Sequence, residues 1–316
     1  MKKQIRWILA LIVVLWIAFP IQAQAATVKL TMVKGEEMQL PSAYWYSRYT
    51  SSDENVVDVS SDGVVKAKHL GTAVIMQTTL NDPIRYQVKV TDTVDIVVAM
   101  GQSNMCGSGG NTYYAPEVSG SVLQYQNNSL FQMKRQGTLL PAFGNAYVKK
   151  AKRPVIIIQT AVGGSSSIAW LRDGLITNSV AQLKKCKAFL KRHQVKVKHI
   201  YMLWYNGETD GKKGLSQLEY NNNLNAIYKK MAKAGTEKFL MIQVGQYRDR
   251  RYDMSVIIEA QKYICKKNRK FVMVSNATKT LSTAEKWYSD NVHFNQLALN
   301  KIGEQAGKNA GKLARK

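Results

Sequence analysis

Short runs of alternating apolar and polar residues follow one another along residues 27–92. Period-two alternation is typical of β-strands that bury one face, and turn-forming residues close each run. The pattern therefore predicts a small all-β sandwich over residues 27–92. The predicted strands are Val28–Met32, Val56–Val59, Val64–Ala67, Thr72–Met76 and Tyr86–Val90.

After Thr93 the pattern changes to continuous apolar runs that alternate with long amphipathic segments. Apolar strands separated by helices need crossover connections, so we expect a mostly parallel sheet of about five strands with helices on both faces, over residues 93–316. Functional groups should lie at the carboxyl ends of these strands. The predicted strands are Val94–Met100, Val155–Thr160, Val197–Trp204, Phe239–Gly245 and Phe271–Ser275, and the predicted helices are Phe143–Lys152, Ser179–Arg192, Leu215–Ala234, Met254–Lys267 and Gln296–Leu313.

The first 25 residues have the pattern of a secretory signal peptide. A basic start is followed by the apolar run Trp7–Phe19 and by Ala23-Gln24-Ala25, a small-residue cleavage signature. The run is shorter than the roughly 20 residues that span a bilayer. We therefore expect a cleaved signal over residues 1–25, no stable membrane span in the mature protein, and a secreted or wall-associated location.

The formal net charge of +24 predicts a strongly basic surface. Such a surface attracts anionic cell-wall polymers and acidic glycans. Nucleic acid is the alternative polyanion, but no nucleic-acid-binding motif accompanies the charge, so this partner is not expected. The three cysteines, Cys106, Cys186 and Cys265, are an odd number and are expected to be free thiols rather than metal ligands.

A serine, a histidine and an aspartate stand where nucleophilic catalysis would need them. Ser103 lies in the GQSNM motif of residues 101–105, directly after the first strand of the parallel sheet. The DNVH motif of residues 290–293 places Asp290 three residues before His293, within reach of its ring in one turn. Such a carboxylate orients the histidine that takes the serine proton. Cys106 and the pair Glu208 and Asp210 are the weaker alternatives, as a thiol nucleophile and as glycosidase carboxylates.

Two further segments offer donors for a developing oxyanion. Gly163 and Gly164 follow the second strand and leave the backbone open to a ligand, while Asn206 follows the third strand and carries an amide donor. Aromatic and polar side chains near the strand ends are candidates for lining the substrate site. They are Gln102, Trp170 and Tyr205.

The four blocks, in this order from Val94 to the C-terminus, resemble those of SGNH hydrolases, and in particular the sialate O-acetylesterase-like carbohydrate esterases. That family carries GQSNM, GG-S/T-S, W-x-Q-G-E-x-D and D-x-x-H motifs. The resemblance implies a flavodoxin-like three-layer fold, and it implies no metal or cofactor. Position 206 departs from that family, since Asn stands in place of its usual Gln. The implied roles are Ser103 as nucleophile, His293 as general base and then acid, Asp290 as its orienter, and an oxyanion hole of the Ser103 N–H, the Gly164 N–H in preference to that of Gly163, and the Asn206 side chain.

A second resemblance concerns the N-terminal strands. The segments SSDENVVDV at residues 51–59, DGVV at 62–65 and HLGTA at 69–73 resemble the bacterial Ig-like group 2 domain. This implies an Ig-like sandwich over residues 27–92, a kind of module that spaces, stabilises or helps to attach extracellular proteins.

Together these features predict a secreted serine esterase that removes O-acetyl groups from carbohydrate. Xylan, sialic acid and peptidoglycan acetyl esters remain alternative substrates. The competing hypotheses are an inactive glycan- or wall-binding adhesin, which would not need all three catalytic residues, and an SGNH lipase or thioesterase.

Overall fold

A computed structural model describes residues 26–40, 47–80 and 83–315. The predicted signal peptide, residues 1–25, lies outside the described residues. The strands are β1 (Ala26–Val33), β2 (Glu37–Gln39), β3 (Arg48–Ser51), β4 (Val57–Val59), β5 (Val64–Ala67), β6 (Gly71–Thr78), β7 (Ile84–Thr91), β8 (Thr93–Gly101), β9 (Val122–Gln126), β10 (Ser129–Gln132), β11 (Val155–Gln159), β12 (Lys196–Tyr205), β13 (Lys238–Ile242) and β14 (Phe271–Ser275). The helices are α1 (Ser103–Cys106), α2 (Leu140–Ala151), α3 (Ser167–Arg172), α4 (Leu175–Arg192), α5 (Glu208–Lys212), α6 (Gln217–Lys233), α7 (Ser255–Lys267), α8 (Thr278–Leu281) and α9 (Gln296–Ala314).

The fold is α/β with a large mixed sheet in the order β14-β13-β12-β8-β11-β9-β10-β2-β5-β4. The five predicted strands of the parallel sheet are confirmed as β8, β11, β12, β13 and β14, all parallel neighbours. Among the strands after Thr93, two were not predicted: β9 runs parallel to β11, and β10 runs antiparallel to β9. The glutamines at 124 and 126 interrupt the apolar run of β9, which hid this strand from the sequence pattern.

Helices cover both faces of this sheet because the side chains of β8 alternate between two cores. Ile96, Val98 and Met100 pack into one core with residues of α4, α6 and α7. Val97 and Ala99 pack into the other core with residues of α2 and α9. The five predicted long helices are present, and each starts within four residues of its expected start. None of the helices in the described ranges is both long and apolar enough to cross a membrane.

The N-terminal strands surround a third core, which includes Met32, Val57, Ile75 and Val88. The five strands predicted there are confirmed as β1, β4, β5, β6 and β7. The expected separation from the rest of the chain is wrong in one respect, because β2 pairs with β10 and so joins β2, β5 and β4 to the large sheet. Without this pairing, each would be an edge strand with free backbone groups, which favours such pairing. Asp92 alone separates β7 from β8.

Glu36, between β1 and β2, carries a carboxyl group that is fully buried. The Val33 N–H donates to Glu36 Oε2 at 2.7 Å, while Oε1 has no partner among the described residues. Burial raises the pKa of Glu36 from 4.5 to about 8. Because the folded pKa lies above the unfolded one, the neutral carboxyl favours folding at low pH. This stabilisation is complete below about pH 4.5 and is lost as the pH rises through 8.

Glu36→Gln keeps the size of this group and removes its titration. We expect the free energy of unfolding of the wild type to fall, relative to the variant, by about 2 kcal/mol between pH 6 and pH 8. Urea unfolding of both proteins at the two pH values measures this. Glu37→Gln is the matched control, because Glu37 is exposed and pairs with Lys66 at 3.0 Å. Equal pH dependence of wild type and Glu36→Gln would contradict the prediction.

Candidate active site

The GQSNM motif forms the turn between β8 and α1 at the carboxyl edge of the sheet. Gly101 has φ of 141°, and a Cβ there would clash with the Tyr205 carbonyl oxygen in β12, so the turn needs glycine. The Gln102 N–H donates to the same carbonyl oxygen at 3.1 Å. Ser103, the predicted nucleophile, is 7% exposed and occupies the first position of α1. The first turn of a helix leaves its N–H groups without intrahelical acceptors, and the Ser103 N–H belongs to it.

Asp290 and His293 form a close pair in the loop before α9. The His293 Nδ1 lies 2.6 Å from Asp290 Oδ2, and the N–H of His293 donates to Asp290 Oδ1 at 2.7 Å. Burial acts to raise the pKa of Asp290, but the hydrogen bonds from the His293 side chain and backbone outweigh it and lower that pKa. An ionised carboxylate accepts a hydrogen bond from the Nδ1–H of His293, which leaves the lone pair of the ring on Nε2.

Asn104 joins the two segments, although they lie 190 residues apart in the sequence. Its Oδ1 accepts the N–H of Phe294 at 3.0 Å, and its Nδ2 donates to the carbonyl oxygen of Val292 at 3.2 Å. The residue next to Ser103 therefore holds both neighbours of His293. No hydrogen bond links Ser103 Oγ to His293 in the part of the chain that the structure describes. Such contacts are often long in unliganded enzymes and tighten when the substrate binds.

The predicted oxyanion donors lie on the loop after β11 and at the end of β12. Gly163 and Gly164 are exposed, and a Cβ at either position would meet nothing within 4 Å. The Thr209 hydroxyl donates to the Gly164 carbonyl oxygen at 3.1 Å and so holds that peptide unit. Asn206 is fully buried, and its Nδ2 donates to the Ser165 carbonyl oxygen at 2.8 Å. An amide carries two N–H bonds, and this contact uses one of them.

The short helix α5 binds the surrounding loops together. The N–H groups of Gly207 and Thr209 donate to Gln102 Oε1 at 3.4 and 3.2 Å. Asp210 accepts the N–H of Ser167 at 2.9 Å and its hydroxyl at 2.6 Å. Burial raises the pKa of both Glu208 and Asp210. Both carboxyl groups are directed into the protein, as expected of scaffold residues and not of exposed glycosidase carboxylates.

Three residues predicted to line the substrate lie inside the protein instead. Trp170 and Tyr205 have no exposed surface, and the Trp170 ring packs against Trp204 at 5.3 Å between centroids. The Trp170 Nε1–H donates to Ser165 Oγ at 2.9 Å. Gln102 is 3% exposed, and its side-chain carbonyl oxygen accepts a hydrogen bond from the Thr209 N–H in α5. The prediction is wrong for Trp170 and Tyr205, because both faces of the sheet are covered where these rings lie. Gln102 instead supports the turn that carries Ser103.

Sequence reasoning missed the role of Asn104, and the GQSNM motif held the only signal for it.

The three cysteines are free thiols. Within the described ranges, no group of three or more His, Cys, Asp or Glu side chains is arranged to hold a metal ion.

Comparison with known protein families identifies the region that carries this site. Residues 93–312 match the profile described as "SASA: Carbohydrate esterase, sialic acid-specific acetylesterase". The chain belongs to this family. A search among curated proteins found no significant match.

A solved structure shares its fold with this chain of the SASA family. A protein of Arabidopsis thaliana superposes with a TM-score of 0.52 at 19% identity, over 68% of this chain and 96% of that one. A carbohydrate acetylesterase of Xanthomonas citri superposes with a TM-score of 0.47 at 14% identity, over 90% of this chain and 72% of that one. The first likeness shows a shared fold, and the family match makes this chain an esterase.

Proposed function

We propose that this esterase removes O-acetyl groups from carbohydrate, with Ser103 as nucleophile and His293 and Asp290 as its partners. The observation that carries the proposal is the Asp290–His293 pair at 2.6 Å, which Asn104 holds beside the nucleophile turn. Because Nδ1 of His293 is engaged by Asp290, Nε2 is the nitrogen that would act as the base for Ser103. An inactive adhesin would have no use for it.

The proposed reaction follows from these groups. His293 Nε2 takes the proton of Ser103 Oγ as that oxygen attacks the acetyl carbonyl carbon, and the C–O bond to the sugar then breaks. The sugar oxygen leaves with the proton from His293, and acetyl-Ser103 remains. Water attacks this ester in the same way and releases acetate. The N–H groups of Ser103 and Gly164 and the Asn206 amide stabilise the oxyanion in both steps.

The surroundings of the site favour an acidic sugar as substrate. Gly163 and Gly164 present no side chain, so the entrance has room for a sugar ring. Arg248 donates to Asn291 Oδ1 at 2.8 Å and therefore lies next to the loop of Asp290 and His293. A guanidinium at this place matches a sugar carboxylate, and the net charge of +24 acts in the same direction over a longer range.

Acetate release from a panel of acetylated glycans tests the proposal. We expect release from O-acetylated sialic acid and peptidoglycan above that from neutral acetylated xylan, and a smaller difference at high salt, because salt screens the attraction. Arg248→Gln should reduce the preference for acidic glycans and leave hydrolysis of p-nitrophenyl acetate unchanged. Cleavage of lipid esters or thioesters alone would favour the lipase hypothesis, and no cleavage of any ester would favour a binding protein.

We also propose that residues 1–25 direct secretion and that residues 27–92 form an Ig-like accessory module. The N-terminal strands have a hydrophobic core of their own, which supports the accessory module. The basic residues at the start of the sequence and the apolar run that follows them support the secretion signal. Attraction of the basic surface to anionic wall polymers would keep the secreted esterase near the cell wall.

A further inference from the structure

Glu208 holds a carboxyl group in a position where it is costly for stability. The side chain is 3% exposed, and among the described residues its Oε2 has no hydrogen-bond partner. Its Oε1 has one side-chain donor, the Asn104 Nδ2 at 2.7 Å. An unpartnered buried oxygen destabilises a fold. The catalytic proposal above gives Glu208 no role.

The bond to Glu208 is the shortest of three contacts that favour one orientation of the Asn104 amide. Because Glu208 only accepts at this contact, the NH₂ end of the amide is held toward Glu208 and Val292, and the oxygen is held toward the Phe294 N–H. In the opposite orientation, the amide oxygen would face two acceptors and the NH₂ group would face a donor. Both bonds that flank His293 would then be lost.

We propose that Glu208 is a positioning residue for His293 and acts through the Asn104 amide. The inference rests on the proposed function, since it assumes that His293 is the base for Ser103. The chain of contacts runs from Glu208 Oε1 to Asn104 Nδ2 and from Asn104 to the backbone on both sides of His293. Displacement of a reacting group by about 1 Å can cost on the order of 10²-fold in rate, so a loose amide would be measurable.

Asp210 supplies a matched comparison on the same helix. It is fully buried like Glu208, but it binds Ser167 at the start of α3 and not Asn104. A change at Asp210 therefore alters the packing of α5 without touching the amide that holds His293.

The test measures kcat, KM and unfolding midpoints with p-nitrophenyl acetate as substrate. Glu208→Leu removes the acceptor and should lower kcat by about 10- to 100-fold with KM nearly unchanged. Its unfolding midpoint should not fall, because the unpartnered oxygen is removed as well. Glu208→Gln keeps an acceptor for Asn104 and should retain kcat within about threefold, which a need for the negative charge itself would not allow.

A double-mutant cycle connects Glu208 to Asn104. Asn104→Leu should lower kcat, and adding Glu208→Leu to it should lower kcat no further, whereas Asp210→Asn combined with Asn104→Leu should give the product of the two single effects.

Wild-type kcat in Glu208→Leu would overturn the inference, and so would independent, multiplying effects of Glu208→Leu and Asn104→Leu. Ser103→Ala, assayed in parallel, separates the two proposals. If it stays active, the proposed function fails. If it is inactive while Glu208→Leu is not impaired, only the positioning role fails.

Discussion

Ser103→Ala is expected to lower kcat/KM for p-nitrophenyl acetate by about 10³-fold or more. The hydroxyl at the first position of α1 is the only part of the side chain that the substitution removes, so the fold should be unaffected. Initial rates with the small ester, together with a circular dichroism spectrum of the variant, measure both expectations.

Ser108→Ala is the matched control for this prediction. Ser108 lies in the same loop, is exposed, and receives no role in the proposed reaction. It should keep wild-type rates. Near-wild-type turnover by a folded Ser103→Ala protein would show that another group is the nucleophile.

Asn206→Ala is expected to lower kcat by about 10²- to 10³-fold with KM nearly unchanged, because the amide bond to the oxyanion strengthens only in the transition state. Loss of the bond from Asn206 to the Ser165 carbonyl oxygen adds to the effect by loosening the loop that carries Gly164. Steady-state kinetics with p-nitrophenyl acetate separate kcat from KM.

Asn206→Gln sharpens this test, since it restores the residue that the family usually carries. The backbone at position 206 is fixed, because its carbonyl oxygen accepts the Tyr220 hydroxyl at 3.1 Å and the Gln261 amide at 2.9 Å. A longer side chain on a fixed backbone overshoots, so we expect activity above that of Asn206→Ala and below wild type. A raised KM with intact kcat in Asn206→Ala would make Asn206 a ground-state contact instead.

Local patterns predicted most of the strands and helices that carry the site. The apolar run before Gly101 identified β8, and the change to amphipathic spacing identified α4, α6, α7 and α9. The pairing of β2 with β10 was not predictable, because it joins two short edge strands whose own patterns say nothing about a distant partner. Strand β9 escaped because Gln124 and Gln126 interrupt its apolar run, which weakens the apolar signal.

The candidate site was predictable where its chemistry is carried by neighbours in the sequence. Asp290 and His293 are three residues apart, and their contact follows from a single turn. The role of Asn104 in joining the two segments depends on its hydrogen bonds with Phe294 and Glu208, which only the folded chain brings together. Trp170 shows the reverse error, since an aromatic residue after a strand end packs into a core as readily as it lines a pocket.

The single residue between β7 and β8 fixes the distance from the N-terminal strands to the candidate active site. Strand β8 starts at Thr93 and ends at the turn of Ser103, and its nine residues span about 30 Å at about 3.3 Å per residue. Asp92 is too short a connection to act as a flexible tether, so this separation is fixed. The turn of Ser103 therefore lies at a constant distance of about 30 Å from the junction with the N-terminal strands.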